Sequence, residues 1–236
     1  MSHLILVRHG QSIWNLENRF TGWVDVELSE QGRKEATKAG ELIRDLNLDF
    51  KSIYTSYLKR AKETLDIILD VNNLKNKEII KAWELNERHY GNLTGLNKDE
   101  MRKKLSEEKV HELRRSWDTP PDKLDRGSPY HPINNQIYKD IPLDHIPDTE
   151  SLKDTYERVI PYYKKNIMNK ISDNILISAH GNSIRALCKY LFKLDNNIIS
   201  KLEIPTGNPL ILIFEDNVIK SAKYLDQSRS KDLIIF

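Results

Sequence analysis

The sequence predicts an α/β domain, a single three-layer unit whose largely parallel central sheet carries helices on both faces. Three observations lead there. Short apolar runs of strand length stand at residues 4–7 and 175–177, with similar runs near Ile53, near Ile79 and at 209–214. Segments with helical spacing lie between them, and strands alternating with helices favour a layered parallel sheet. No tract rich in Gly or Ser and no repeat divides the chain, so residues 1–236 are expected to form one domain.

The elements follow in order. The run Leu4-Ile5-Leu6-Val7 is apolar at every position, as a strand buried on both faces must be. Ser29, followed by Glu30 and Gln31, is a helix-start signal, and the periodic pattern continues to about Leu46. Residues 58–70, 151–171 and 183–193 keep helical spacing, with Pro161 expected to kink the second of these three. Residues 118–149 hold several prolines and mixed charges without an apolar period, which predicts a long surface excursion of the length used for lids. A short tail follows residue 225.

Composition narrows the partners. The 37 basic and 35 acidic residues leave a net charge of +2, too even to build a nucleic-acid-binding face, yet compatible with a local site for a small anion. No apolar stretch reaches membrane-span length, and the four apolar residues before Arg8 are too few for a signal-peptide core, so a cytoplasmic location is expected. Cys188 is the sole cysteine; its setting Ile184-Arg-Ala-Leu-Cys188 places it on a helix among apolar neighbours, as core and not nucleophile.

The most informative feature is a pair of related tetrapeptides, His9-Gly10-Gln11-Ser12 and His180-Gly181-Asn182-Ser183, each directly after a strand-like run. In a parallel sheet, ligands bind beyond the carboxyl ends of strands, so neighbouring strands would bring both imidazoles over one pocket. The glycines after them are expected to let backbone N–H groups approach a bound oxyanion. Arg8 and Arg60 stand at or just after strand ends and suit the charge of a transferring phosphoryl group. A metal site is the rival, but no carboxylate, cysteine or third histidine stands at ligand spacing near either histidine. Glu87 also falls after a strand, where its carboxyl could exchange a proton with a substrate oxygen, although composition alone does not separate it from other glutamates.

Arg8-His9-Gly10, Ser12-Ile-Trp14-Asn15 and Phe20-Thr-Gly-Trp23 resemble the opening of the cofactor-dependent phosphoglycerate mutases of the histidine phosphatase superfamily. Leu85-Asn-Glu-Arg-His-Tyr-Gly91, Gly95-Leu-Asn-Lys98, Arg114-Arg115, Glu150-Ser-Leu152, His180-Gly-Asn-Ser183 and Pro205-Thr-Gly207 fall in that family's order, from residue 3 to about 225. The resemblance implies an isomerase of glycolysis and gluconeogenesis, a dimer or tetramer, that interconverts phosphoglycerates with 2,3-bisphosphoglycerate as primer and no metal. It makes His9 the phosphorylated nucleophile, Glu87 the proton donor and acceptor, and His180 a stabiliser alongside Arg8 and Arg60. Its ligand contacts map to Arg8, His9, Gly10, Gln11, Ser12, Asn15, Thr21, Gly22, Arg60, Glu87, Arg88, His89, Tyr90, Lys98, Arg114, Arg115, Gly181 and Asn182.

Lys98, Arg114 and Arg115 suit anchors for a carboxylate and a second phosphate. Adjacent helix residues point about 100° apart, so one of the two arginines could equally be a solvated charge. Gln11 stands where many relatives carry glutamate, Ile13 where a polar residue is frequent, and the chain ends eleven residues after Leu225. Ser12 favours the mutases over relatives specialised in making bisphosphoglycerate. The alternatives are a bisphosphoglycerate mutase or phosphatase on the same scaffold and, from another class, a non-catalytic phospholigand-binding module, which would be expected to lack His9, Glu87 or His180.

Overall fold

The computed structural model describes residues 1–230. Its sheet has six strands: β1 (Ser2–Arg8), β2 (Ser52–Thr55), β3 (Ile80–Lys81), β4 (Ile175–Ala179), β5 (Leu210–Glu215) and β6 (Val218–Tyr224). They run in the order β3-β2-β4-β1-β5-β6, with β3, β2, β4 and β1 parallel and the last two antiparallel to their neighbours. Helices α2 (Glu30–Arg44) and α3 (Lys59–Val71) cover one face, where Ala39, Ile43, Leu65 and Ile68 meet Ile5, Val7 and Ile53. Helices α6 (Leu152–Asn166) and α7 (Gly181–Leu191) cover the other, where Val159, Tyr163, Ile184 and Leu187 meet Leu4, Leu6, Ile175 and Ile177. Each fully buried aliphatic side chain of these layers contributes about 1.5–3 kcal/mol, which is why the middle of β1, Leu4–Val7, and residues 175–177 of β4 are apolar at every position.

Local signals set the helix ends. The Ser29 hydroxyl accepts from the Gly32 N–H at the start of α2, and Ser151 forms a reciprocal capping box with Asp154 before α6. Pro161 deletes one donor inside α6 without ending it, and the helix runs on to Asn166, five residues short of the expected end; a separate 3₁₀ turn follows at Met168–Lys170. Helix α7 starts two residues before the expected 183, because extended His180 caps it and Gly181 is already its first turn. Cys188 is buried among the apolar residues of this helix, and burial pushes its thiol up to about 12, so the core reading holds.

Several elements were not expected. Strand β6 buries only Ala222 and Tyr224 and lacks an apolar run. The short helices α1 (Ile13–Leu16), α4 (Lys98–Leu105), α5 (Glu107–Arg115) and α8 (Asn196–Lys201) bury at most two residues each. The 118–149 excursion forms only 3₁₀ turns, as its composition foretells, but it is docked rather than a free surface loop. Tyr138, Ile141 and Ile146 are buried against Trp23 and Leu58, and the Tyr138 hydroxyl donates to the Trp23 carbonyl. Three apolar contacts in a polar stretch have no period for a pattern to reveal. Of the tail after residue 225, Gln227–Arg229 form a 3₁₀ turn and Arg229 donates to the Thr206 carbonyl. The rest of that tail, residues 231–236, lies outside the described residues.

Candidate active site

Parallel pairing of β1 with β4 sets Arg8 opposite Ala179, so the next residues, His9 and His180, leave the sheet side by side. The His9 N–H completes the ladder on the Ala179 carbonyl at 3.0 Å, and the two imidazoles lie 4.9 Å apart between centroids. The His9 Nδ1 is 2.6 Å from the Gly10 carbonyl, which can only accept, so Nδ1 carries the proton and Nε2 carries the lone pair. Arg60, the second residue of α3 and fully buried, sends its Nε–H toward that Nε2 at 3.3 Å. Its two Nη groups are fixed by the carbonyls of Val24 and Gly22. The His180 Nε2 meets the Ser56 hydroxyl at 2.7 Å. Glu87 reaches in from the segment after β3; its Oε1 accepts from the N–H groups of Arg88 and Asn182 at 2.7 and 3.2 Å.

The surroundings favour an anion. Two adjoining cavities of about 110 and 70 Å³ beside His9 and Gly181 are lined by Arg8, Arg19, Arg60, Lys98, Arg114, Arg115 and Arg185 against only Glu87 and Glu203 as carboxylates. Burial, followed by the charges of Arg60 and Arg8, holds His9 well below its ordinary pKa; burial, Arg60 and His9 do the same to His180. Both rings are therefore neutral at neutral pH. Burial also lowers Lys98 to about 8, although Tyr90 opposes the shift. Nε of Arg8 and of Arg185 are buried donors without a partner, as expected where a ligand oxygen is to be received. A larger cavity of about 910 Å³ lies at the opposite end of the sheet, near Phe214, and no histidine or arginine lines it. Chemistry rather than size thus locates the site.

The structure brings together most of the expected residues. Arg8, His9, Asn15, Thr21, Gly22, Arg60, Glu87, Tyr90, Lys98, Arg114, Arg115, Gly181 and Asn182 all line the two cavities. Others do different work. Gly10 offers no N–H to an oxyanion, because that group donates to the Thr64 hydroxyl at 3.0 Å. Its lack of a Cβ serves packing instead, since a Cβ there would sit 2.2 Å from the Gly32 carbonyl oxygen. The Gln11 side chain accepts from the Ser29 hydroxyl, and Ser12 caps α1. Arg88 donates to the carbonyls of Leu113 and Arg114 and so holds the end of α5. His89 is buried beside His131, with its Nδ1 accepting from the Gly91 N–H, and faces away from the cavities. Of the two adjacent arginines, Arg114 lines both cavities, whereas Arg115 lines one and is paired with Glu203.

Sequence reasoning missed Arg19, Arg185 and Glu203. Arg185 carried a signal, standing one helical turn after Gly181, and Arg19 directly precedes Phe20. Glu203 carried none, because only the fold brings the stretch after α8 to the mouth. Among the described residues no cluster of three or more His, Cys, Asp or Glu side chains is placed to hold a metal ion, and no helix is long and apolar enough to cross a membrane.

A histidine at a strand end, fixed in one tautomer and ringed by arginines, is the arrangement of a phosphohistidine enzyme, and the chain belongs to the histidine phosphatase superfamily (branch 1), whose sequence pattern matches residues 4–227. Within it, the chain is 61% identical, over the full length of both, to the 2,3-bisphosphoglycerate-dependent phosphoglycerate mutase of Pelagibacter ubique. It is 50% identical to the enzyme of the same name from a Hydrogenobaculum species, across 95% of this chain and 92% of that one. The fold also matches the crystal structure of a phosphoglycerate mutase from Bacillus anthracis, with a TM-score of 0.67 and 22% identity over 96% of this chain and 94% of that one. A mycobacterial glucosyl-3-phosphoglycerate phosphatase is similar at a TM-score of 0.68 and 21% identity, over 95% of this chain and 97% of that one. At those identities the likeness concerns the fold alone.

Proposed function

We infer that this chain is a phosphoglycerate mutase that interconverts 3-phosphoglycerate and 2-phosphoglycerate through a phosphohistidine at His9, primed by 2,3-bisphosphoglycerate. The observation that carries the reading is the neutral His9 imidazole, its Nδ1–H tied to Gly10 and its Nε2 aimed into a cationic pocket, in a chain so similar over its whole length to enzymes of that name. The Nε2 lone pair attacks phosphorus; the P–O bond to the glycerate oxygen breaks as the N–P bond forms, and that oxygen takes its proton from Glu87. The reverse step places the phosphoryl group on the other hydroxyl.

Negative charge spread over the equatorial oxygens is met by Arg8, Arg60 and His180, which are already in place and need no reorganisation at the moment of transfer. Lys98, Arg114 and Arg115 anchor the carboxylate or second phosphate, and the buried unpartnered donors of Arg8 and Arg185 fit a doubly phosphorylated ligand. We place the enzyme in the cytoplasm, as a dimer or tetramer.

A mutase assay with and without 2,3-bisphosphoglycerate tests this. Turnover is expected to depend on the primer after the enzyme is dephosphorylated, and to be unaffected by saturating EDTA because fixed guanidinium groups do the work a divalent ion does elsewhere. Release of phosphate from bisphosphoglycerate as fast as isomerisation would turn the reading to a phosphatase, and loss of rate restored by a divalent ion would remove the metal-free mechanism.

A further inference from the structure

Arg158, on α6, has its guanidinium shared between the carboxylate of Glu150 and the backbone of the segment that presents Glu87. Its Nε donates to Glu150 Oε1 at 2.6 Å and its Nη2 to Glu150 Oε2 at 2.9 Å, a forked pair. The same Nη2 donates to the Glu87 carbonyl at 3.0 Å, while Nη1 donates to the carbonyls of Glu84 at 2.6 Å and Asn86 at 3.1 Å. All five N–H bonds of the guanidinium are thereby used. Glu150 closes the ring, because its Oε2 also accepts the backbone N–H of His89 at 2.7 Å. Both side chains are almost wholly buried, at 8% and 4% exposure.

We propose that Arg158 and Glu150 form a positioning clamp that fixes the Glu84–His89 backbone, and through it sets the Glu87 carboxyl for proton transfer to the substrate oxygen. This rests on the acid/base role given to Glu87 above. Neither residue lines the cavities, so the clamp acts without touching substrate. Segment 84–89 is irregular, with a single 3₁₀ turn, and has no ladder to define it. Its remaining ties are scattered: Leu85 is buried in the core, the Asn86 side-chain oxygen accepts from the Tyr57 N–H, Arg88 donates to the carbonyls of Leu113 and Arg114, the His89 carbonyl accepts from the Glu150 N–H, and Glu87 itself accepts from Asn182. A shift of about 1 Å at a proton donor costs on the order of a hundredfold in rate, so a rigid support of this kind is worth building. The anchor Lys98 stands on α4, outside the segment, and Arg114 on α5 is linked to it only through its backbone carbonyl, which accepts from Arg88.

The test is a double-mutant cycle on mutase turnover, using 3-phosphoglycerate with 2,3-bisphosphoglycerate. Arg158→Lys keeps the charge but loses the fork and two donors; kcat is expected to fall about a hundredfold with KM within about threefold of wild type. In a Glu87→Gln background the same substitution should cost less than about threefold, because the group it positions is already gone. Glu150→Gln, which can still accept from His89, should show a smaller loss with the same dependence on Glu87, and it carries the test if Arg158→Lys does not fold. Equal losses in both backgrounds would make the pair a purely structural support and overturn the proposal, as would unchanged kcat. If Glu87→Gln turns over like wild type, the clamp proposal falls while the mutase reading stands; a wild type without mutase activity removes both.

Discussion

The two His-Gly tetrapeptides are near copies in sequence and do opposite work in space. At the first, only His9 faces the site: Gly10 is pressed against Gly32 of α2, Gln11 is held by Ser29, and Ser12 caps α1. At the second, His180 stands beside its counterpart, Gly181 opens the first turn of α7 and lines the cavity shared with Arg8, and Asn182 donates to Glu87 and to the Tyr90 hydroxyl. One peptide is locked into the fold around its histidine, and the other turns its glycine and asparagine toward the cavity. Motif similarity therefore puts both histidines at strand ends but does not say which of their neighbours line the cavities.

The comparison is broken most sharply at the histidines. His9→Ala should abolish phosphoenzyme formation, and His180→Ala should slow it by about a hundredfold while still allowing it, since only a stabiliser is lost. Acid-labile phosphate on protein quenched after mixing with bisphosphoglycerate reads both; label on a folded His9→Ala protein would defeat the assignment.

The glycines come next. Gly10→Ala should destabilise the fold by about 3 kcal/mol, because the clash is with the backbone of α2 and cannot be relieved by a side chain. Gly181→Ala meets only ordinary contacts and removes a helix glycine, so its melting temperature should be unchanged or slightly raised while KM rises several-fold. Equal melting temperatures for the two variants would refute the division of labour. The same contrast, smaller, is expected one residue on: Asn182→Ala raises KM and Gln11→Ala leaves it within about twofold, as steady-state kinetics would reveal.

The smallest effect concerns pH. Because the folded protein holds both imidazoles well below their ordinary values, they stay neutral as pH falls through the usual histidine range, and activity should decline only below it. The sign for stability is the same: an imidazole depressed on folding contributes stability above its unfolded pKa, and that contribution is lost as pH falls toward the folded value. A pH–rate profile of kcat/KM with its acid limb near the unperturbed imidazole value would show that the burial of His9 does not control its protonation.

How far the sequence could be read follows from the range of the interactions involved. Apolar runs and a helix-start serine are local, so β1, β2, β4, β5, α2, α3, α6 and α7 were foreseen within a few residues. The polar strand β6 and the short charged helices were not, because they are held by a few tertiary contacts rather than by a period. The docking of residues 118–149 through Tyr138, Ile141 and Ile146, which cluster with Trp23, had no sequence signal, because three buried apolar residues in a polar stretch make no period. Resemblance also named Glu87 and Lys98, which composition could not single out and which line the cavities, together with Gly10, Gln11 and His89, which line neither.

By itself the sequence determined the layered sheet and the placement of both histidines at strand ends, since strand burial and strand-end placement follow from short-range pattern. Only the tertiary structure decided that β1 and β4 are neighbours, that Arg60 aims its Nε–H at His9 Nε2, that Arg115 is shared with Glu203, and that Arg158 and Glu150 reach over to hold the Glu87 segment. The last three are hydrogen bonds and ion pairs between groups up to 88 residues apart, and their geometry is fixed by how the helices dock on the sheet, which no local pattern encodes.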